Sequence, residues 1–457
     1  MPALTDPVSI GGCRLPNRLY RAPLLECAGN GPDAVDTLID ELEPAAESGV
    51  GLLFQGASIV TADGGCAAPN MTRVHDEDFV ADLGRLTDAV HAHGSKLFLQ
   101  LAEGGLRSLS LWHADHRSRN PGATQRAVSR PPWQLRLADR LGFVDLRPDV
   151  LSTSEVRHLA RAFGRAAGLA VDAGYDGIHL SGANMGIVQQ FLSPYYNDRD
   201  DEFGDGVRFL LAIRDAVRSQ AGDVPLVTKV PAETAAPPFV RTHLDRADGV
   251  DIAERLAAAG YDGLVPVEVS VYWDMSIVRG EYPDRAWAAS DLQVGYEAAF
   301  GGPWRARAVR LLNRLESRWF PREPAWNESF CRAVRRAVDV PVLCEGGIRS
   351  RADCESLLGN PDDPPAGASG AAPDGSSARD DPAADLVGMA RPFYAEPRLG
   401  RRLLAGDGPD GDTAVVCRSC NNCTVPQAAG EPGRCRTPSV LRERGRLQRA
   451  GAYEGTN

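Results

Sequence analysis

Eight short, almost continuously apolar runs, separated by stretches of helical periodicity, constrain this chain more than any other feature. The runs fall at residues 19–23, 51–55, 96–101, 177–180, 225–230, 263–268, 341–345 and 385–389. A strand that is apolar along its length has to be buried on both faces, as in a parallel sheet covered by helices. Helical patterns occupy 78–93, 153–173, 207–220, 249–259 and 328–338. Strand and helix in repeated alternation predict an α/β protein, a TIM (β/α)8 barrel. The pentapeptide AGYDG occurs at 173–177 and again at 259–263, each time between a helical pattern and an apolar run. Glycine just past a helix end supplies left-handed backbone, so both copies are expected as helix-to-strand turns.

The 457 residues are 43% apolar, enough for a full core. A net charge of −11 argues against nucleic acid or an anionic membrane as partner, since either needs a basic face. No apolar run reaches membrane-spanning length. The start, MPALTDPVSI, lacks a basic segment followed by an apolar core, so the expected location is the cytoplasm. Residues 1–400 are expected to form the barrel, and 401–457 a cysteine-rich extension. Within the barrel, 360–384 is rich in Pro, Gly, Ser and Asp and reads as a disordered insertion between strands seven and eight. Residues 102–148, with Trp112, Trp133 and several arginines, form a long loop after strand three. Such loops build the mouth of a barrel, so this one is a candidate lid or substrate wall.

Candidate functional residues cluster at the predicted strand ends. Gly346 and Gly347 follow strand seven in CEGGIRS, and Ala390 and Arg391 follow strand eight in VGMARP. Lys229 ends strand five in VTKVP, and Gln100 ends strand three in FLQLAEGG. Glycine turns offer backbone N–H groups to a phosphate, and an arginine adds charge. A terminal amide can bond a heteroaromatic ring, and a lysine can offset the negative charge a flavin gains on reduction. Together the set meets the demands of FMN.

The run Gln190-Phe-Leu-Ser-Pro-Tyr-Tyr-Asn-Asp-Arg-Asp-Asp201 follows the pattern QFLSPxxNxRxD, with Asp205 where the pattern closes on glycine. With the first-strand segment LPNRLYRAP at 15–23 and MARPFYAEP at 389–397, it resembles the old yellow enzyme family of NADH:flavin oxidoreductases. The branch containing 2,4-dienoyl-CoA reductase and trimethylamine dehydrogenase is the most similar. The resemblance spans about 7–435. It implies FMN contacts at Ala22, Pro23, Leu24, Leu25, Gly56, Gln100, Lys229, Gly347, Ala390 and Arg391, the family having arginine more often where Lys229 stands. It also implies a substrate pair after strand four at Ser181 and Asn184. Ser181 replaces the family's histidine, Gly186 replaces its proton-donating tyrosine, and Glu103 replaces another histidine. The implied activity is NAD(P)H-linked reduction of an activated alkene or related small molecule, with the proton drawn from water, Tyr195 or Tyr272. Two alternatives stay open: an amine or C–H dehydrogenase in which Glu103 attracts a cationic substrate, and a flavin-binding protein with little turnover. A non-flavin barrel, an aldolase or hydrolase, would lack the QFLSP run.

Cys417, Cys420, Cys423 and Cys435 have the spacing C-x2-C-x2-C-x11-C. Four thiolates so spaced can wrap a [4Fe–4S] cluster or a tetrahedral zinc, and the resemblance favours the cluster. The GDGPDG at 406–411 follows no strand and contains proline, so it is a loop and not a dinucleotide fingerprint. Electrons are therefore expected from NAD(P)H docking over FMN or from a separate electron-transfer protein. Self-association into a homo-oligomer stays open.

Overall fold

A computed structural model describes residues 2–360, 381–406 and 413–454. Most of the segment expected as a disordered insertion, 361–380, and residues 407–411 of the GDGPDG loop lie outside the described residues. Eight strands form one parallel sheet: β1 (Leu19–Arg21), β2 (Leu52–Ile59), β3 (Lys96–Ala102), β4 (Gly177–Leu180), β5 (Leu226–Ala232), β6 (Gly263–Glu268), β7 (Leu343–Glu345) and β8 (Leu386–Met389). Their order is β6-β5-β4-β3-β2-β1-β8-β7. A parallel bridge from Leu264 to Val342 joins the two edges, so the sheet closes into the expected barrel. Every residue of β5 and β6 is buried, which is why these strands are mostly apolar, with Thr228, Lys229 and Glu268 as the exceptions.

The surrounding helices are α1 (Ala34–Glu47), α2 (Gly84–His91), α3 (Thr153–Asp172), α4 (Val207–Ala221), α5 (Arg246–Ala258), α6 (Glu328–Ala337), α7 (Arg351–Leu357) and α8 (Leu399–Ala405). Capping boxes start three of them, Ser152 with Glu155, Asp245 with Asp248, and Ser350 with Asp353. Each box satisfies N–H groups that a helix start leaves open. The stretch 78–93 is not one helix, because Glu77–Asp82 and α2 meet at Leu83. Helices α1, α7 and α8 lie outside the expected helical stretches, although α1 buries Val35, Leu38, Leu42 and Ala45 along one face.

Both AGYDG copies make the expected turn. Gly174 and Gly260 have φ of +91° and +90°, out of easy reach of a side-chain-bearing residue. The aspartate of each copy does a second job. Asp176 accepts from the backbone N–H of Leu97, and Asp262 from that of Leu226, each at 2.9 Å. The pentapeptide thus ties its own strand to the entry of the neighbouring one.

Below the strands, the hairpin Val8–Ile10 with Cys13–Leu15 closes the barrel floor. Its Ile10 and Leu15 pack with Tyr20, Phe54, Phe98, Val227 and Leu343. With its lower end filled, the barrel opens at the C-terminal strand ends. No helix among the described residues is long and apolar enough to cross a membrane.

Candidate active site

A cavity of about 440 Å³ lies at the C-terminal ends of the strands. Pro23, Leu24, Leu25, Asn184, Lys229, Gly346, Gly347, Ala390 and Arg391 all line it. A smaller chamber of about 110 Å³ adjoins it, lined by Gln100, Ser181, Asn184 and Gly186 and sharing Pro23, Leu24, Leu25, Arg107 and Lys229 with the first. Two expected residues line neither. Ala22 is buried behind Pro23, its N–H on the Met389 carbonyl at 2.9 Å. Gly56 donates to Glu26 Oε2 at 2.9 Å, and a Cβ there would fall on the Leu24 carbonyl oxygen. Gly56 therefore lets the Leu24–Leu25 backbone pass over β2 and form the cavity wall.

Lys229 pairs with Glu345, and both side chains are nearly buried. Gln100 Nε2 lies 3.0 Å from His179 Nδ1. Burial and the Lys229 charge push His179 far below its usual range, so the ring is neutral and accepts from the amide. Arg391 donates to the carbonyls of Val278 and Arg279, each at 3.0 Å, and to Asn421 Oδ1. It thereby joins the end of β8, the loop after β6 and the tail.

Asn184 and Met185 have φ of +63° and +60°, a conformation held only where surroundings enforce it. Here Arg107 Nη1 donates to the Asn184 carbonyl at 2.9 Å, Met185 N–H donates to Gln189 Oε1 at 2.7 Å, and Gln190 Nε2 donates to the Met185 carbonyl at 2.7 Å. With the Asn184 amide turned so that Oδ1 faces Arg107, the guanidinium also donates to it at 2.7 and 3.3 Å. That orientation aims the amide NH2 away from the arginine. Glu103 is buried and engaged, accepting from Gly65 N–H at 2.8 Å, Thr61 Oγ1 at 3.1 Å and Arg126 Nη1 at 3.2 Å. Arg126 neutralises it, so it is no free anion for a cationic substrate. The hydroxyls of Tyr195 and Tyr272 bond each other at 2.6 Å, and neither residue lines either cavity.

The roof carries residues the sequence reading did not single out. The loop after β6 contributes Trp273, Asp274, Ile277, Val278 and Phe300, and its helix Pro303–Trp319 contributes Leu312, Asn313 and Glu316. Burial and the Asp274 charge push the Glu316 carboxyl up, to about 7. Its sequence signal is faint: the one acid among five arginines of that helix. The loop after β3 contributes Arg107 and Trp112 as an expected wall, whereas Trp133 is 59% exposed and lines neither cavity. The tail also reaches the mouth, with Gln427 Nε2 donating to the Leu25 carbonyl at 2.6 Å.

Cys417, Cys420, Cys423 and Cys435 line one cavity of about 20 Å³ directly behind Arg391, and none is in a disulfide. Among the described residues no group of three or more His, Cys, Asp or Glu converges on a point that could hold one metal ion. A tetrahedral zinc, with Zn–S of about 2.3 Å, needs its sulfurs about 3.8 Å apart, while a cubane holds them wider.

The sequence matches the model of the NADH:flavin oxidoreductase / NADH oxidase family over residues 3–269. The chain belongs to this family. Its match to 4,4'-dithiodibutanoate disulfide reductase of Rhodococcus erythropolis is 26% identical and covers 98% of both chains. Cinnamate reductase of Clostridium sporogenes is 28% identical over 57% of this chain and 40% of that protein. The solved structure of histamine dehydrogenase from Rhizobium sp. 4-9 is similar in fold, with a TM-score of 0.66 and 20% identity over 96% of this chain and 53% of that one. The chain thus spans nearly all of one family relative and about half or less of two longer proteins.

Proposed function

We propose that the chain is an FMN-dependent oxidoreductase that passes reducing equivalents from NAD(P)H, or from an electron-transfer protein, to a small molecule, with an activated alkene as the preferred class. The observation that carries this reading is the gathering of Gly346, Gly347, Ala390, Arg391 and Lys229 around one cavity, with Gln100, Ser181 and Asn184 in its side chamber. The cavity's polar lining fits such a group. Glu345 Oε2, Arg107 Nε, Trp112 Nε1 and Trp326 Nε1 are buried with no partner among the described residues, and all four residues face it. Buried polar atoms are rarely left unpaired, so the cavity suits a polar occupant. FMN, when bound, supplies reversible two-electron storage between a nicotinamide and a substrate.

The chain's own residues divide the remaining work. Gly346, Gly347, Ala390 and Arg391 would hold the phosphate, and Lys229, Gln100 and the Pro23–Leu25 backbone the ring system. Ala22 and Gly56 support that backbone from behind. The Asn184 amide, its oxygen held by Arg107, has N–H groups to donate to an electron-withdrawing oxygen on the substrate, and Ser181 shares the chamber. Gly186 has no proton to give. Glu316, protonated into the neutral range, is an acid available in the large cavity. The neutralised Glu103 leaves the amine-oxidising alternative without its anion.

The four cysteines would hold a [4Fe–4S] cluster. The spacing C-x2-C-x2-C-x11-C and the family resemblance support this reading, and Arg391 touches both cavities. Protein made anaerobically should carry iron and sulfide, lost in Cys420→Ala. Zinc in stoichiometric amount without iron would replace the cluster by a structural staple. For the reaction, NADH or NADPH should bleach the flavin band anaerobically, and cyclohexenone or a nitroalkene should restore it. A flavin bleached by neither nucleotide contradicts the NAD(P)H link.

A further inference from the structure

Arg107 follows β3 in the short turn Gly105–Arg107 and is buried. Its guanidinium stacks over the Trp273 ring at 4.7 Å from the centroid and donates to Asn184. No carboxylate pairs with it among the described residues, and its Nε has no partner. Burial pushes it down, to about 9, which leaves it charged at neutral pH. A buried cation without a counter-ion is costly, and a site that keeps one gains most when a ligand supplies the anion.

The other charged groups lining the two cavities are otherwise engaged. Lys229 has Glu345, and Glu103 has Arg126. Arg391 is held by the Val278 and Arg279 carbonyls at the far side, toward the cysteines. Asp274 and Glu316 are acids that burial pushes toward their neutral forms. Among the described residues Arg107 and Arg391 line the large cavity without a carboxylate partner, and Arg107 is the one that also lines the side chamber. Around it the walls are apolar and aromatic: Trp112 and Trp273 have ring centroids 5.0 Å apart, and Phe300 lies 6.0 Å from Trp112.

We propose that Arg107 anchors a carboxylate on the substrate, so that this site takes reducible carboxylic acids with an apolar or aromatic body, the carboxylate meeting the guanidinium and the Asn184 amide. The inference rests on the reading of this cavity as the oxidoreductase site and narrows its substrate class. A planar guanidinium suits a carboxylate because two parallel N–H donors match its two oxygens. The same charge could instead meet a phosphate of NADPH, and the test separates the two.

Calorimetric titration of the protein as purified with cinnamate and with cinnamamide compares one apolar body with and without the charge. Wild type should bind the acid about tenfold or more tightly than the amide, as expected for a charge-assisted pair. Arg107→Met should lose that preference and Arg107→Lys should keep part of it. A merely structural role for Arg107 would weaken acid and amide alike. Wild type that binds the acid no better than the amide, binding of neither included, overturns the proposal without needing a variant. So does Arg107→Met with the preference intact, or with a rise only in the NADPH-over-NADH ratio of KM values. Flavin content, read on the same samples, reports separately on the oxidoreductase reading: without flavin that reading fails, while the acid–amide comparison still tests the anchor.

Discussion

Lys229 and Glu316 line the same cavity and are held in contrasting ways. Lys229 stands in β5, every residue of which is buried, and is paired with Glu345 from β7. Glu316 stands half-buried on helix Pro303–Trp319, which has no fully buried residue and whose Trp304 and Trp319 are 77% and 69% exposed. The floor of the site is thus part of the barrel and inherits its rigidity. The roof is laid over it by long loops and by the tail. On the proposed reading, the floor would hold the cofactor and the roof would select the small molecule.

The contrast can be broken from either side. The largest effect is expected where floor meets roof. Asn184→Ala removes a donor in a buried pocket, worth roughly 2.7–4 kcal/mol in a transition state, so turnover of an enone should fall about 10²–10³-fold. FMN content should hold. Brisk turnover in this variant would mean that other groups grip the substrate.

Arg391→Ala strikes the floor. Losing a charge-assisted partner costs roughly 1.5–3 kcal/mol, so FMN should dissociate about 10- to 150-fold more readily. Equilibrium dialysis against free FMN reads this, and wild-type affinity would place the phosphate elsewhere. The tail should loosen in the same variant, through the lost bond to Asn421.

The smallest effect is expected in the roof. The folded state holds the Glu316 proton more tightly than the unfolded chain does, since its carboxyl is pushed up to about 7. Its contribution to stability is therefore complete below the usual glutamate range and is lost as pH rises through about 7. Glu316→Gln should flatten the fall in Tm between about pH 5 and pH 8. An unaltered slope would show that Glu316 titrates like a surface acid.

The same contrast explains what the sequence revealed. Strands buried on both faces have no choice but to be apolar, so all eight were legible; the glycine pair after strand seven marked Gly346 and Gly347, and Lys229 stood out as a charge in an apolar run. Ala22 and Gly56 were legible as positions but not in their geometry, because only the folded chain shows Leu24 crossing over Gly56. The roof follows no strand alternation. Its helix Pro303–Trp319 repeats apolar residues at 304, 308, 311, 315 and 319, but that period does not say where the helix lies, so Trp273, Phe300 and Glu316 could not be placed above the barrel in advance. In the loop after β3, Trp112 and Trp133 looked equivalent, and only packing turned one inward. Arg107 was hidden among surface-like arginines, since nothing local tells a buried guanidinium from a solvated one.

If the cavity at the strand ends is an FMN site, the flavin content of anaerobically purified protein reads it most directly. After heat release, chromatography should recover about one FMN per chain, as a single site at the barrel mouth requires. Colourless protein that takes up no FMN when it is supplied would contradict the account.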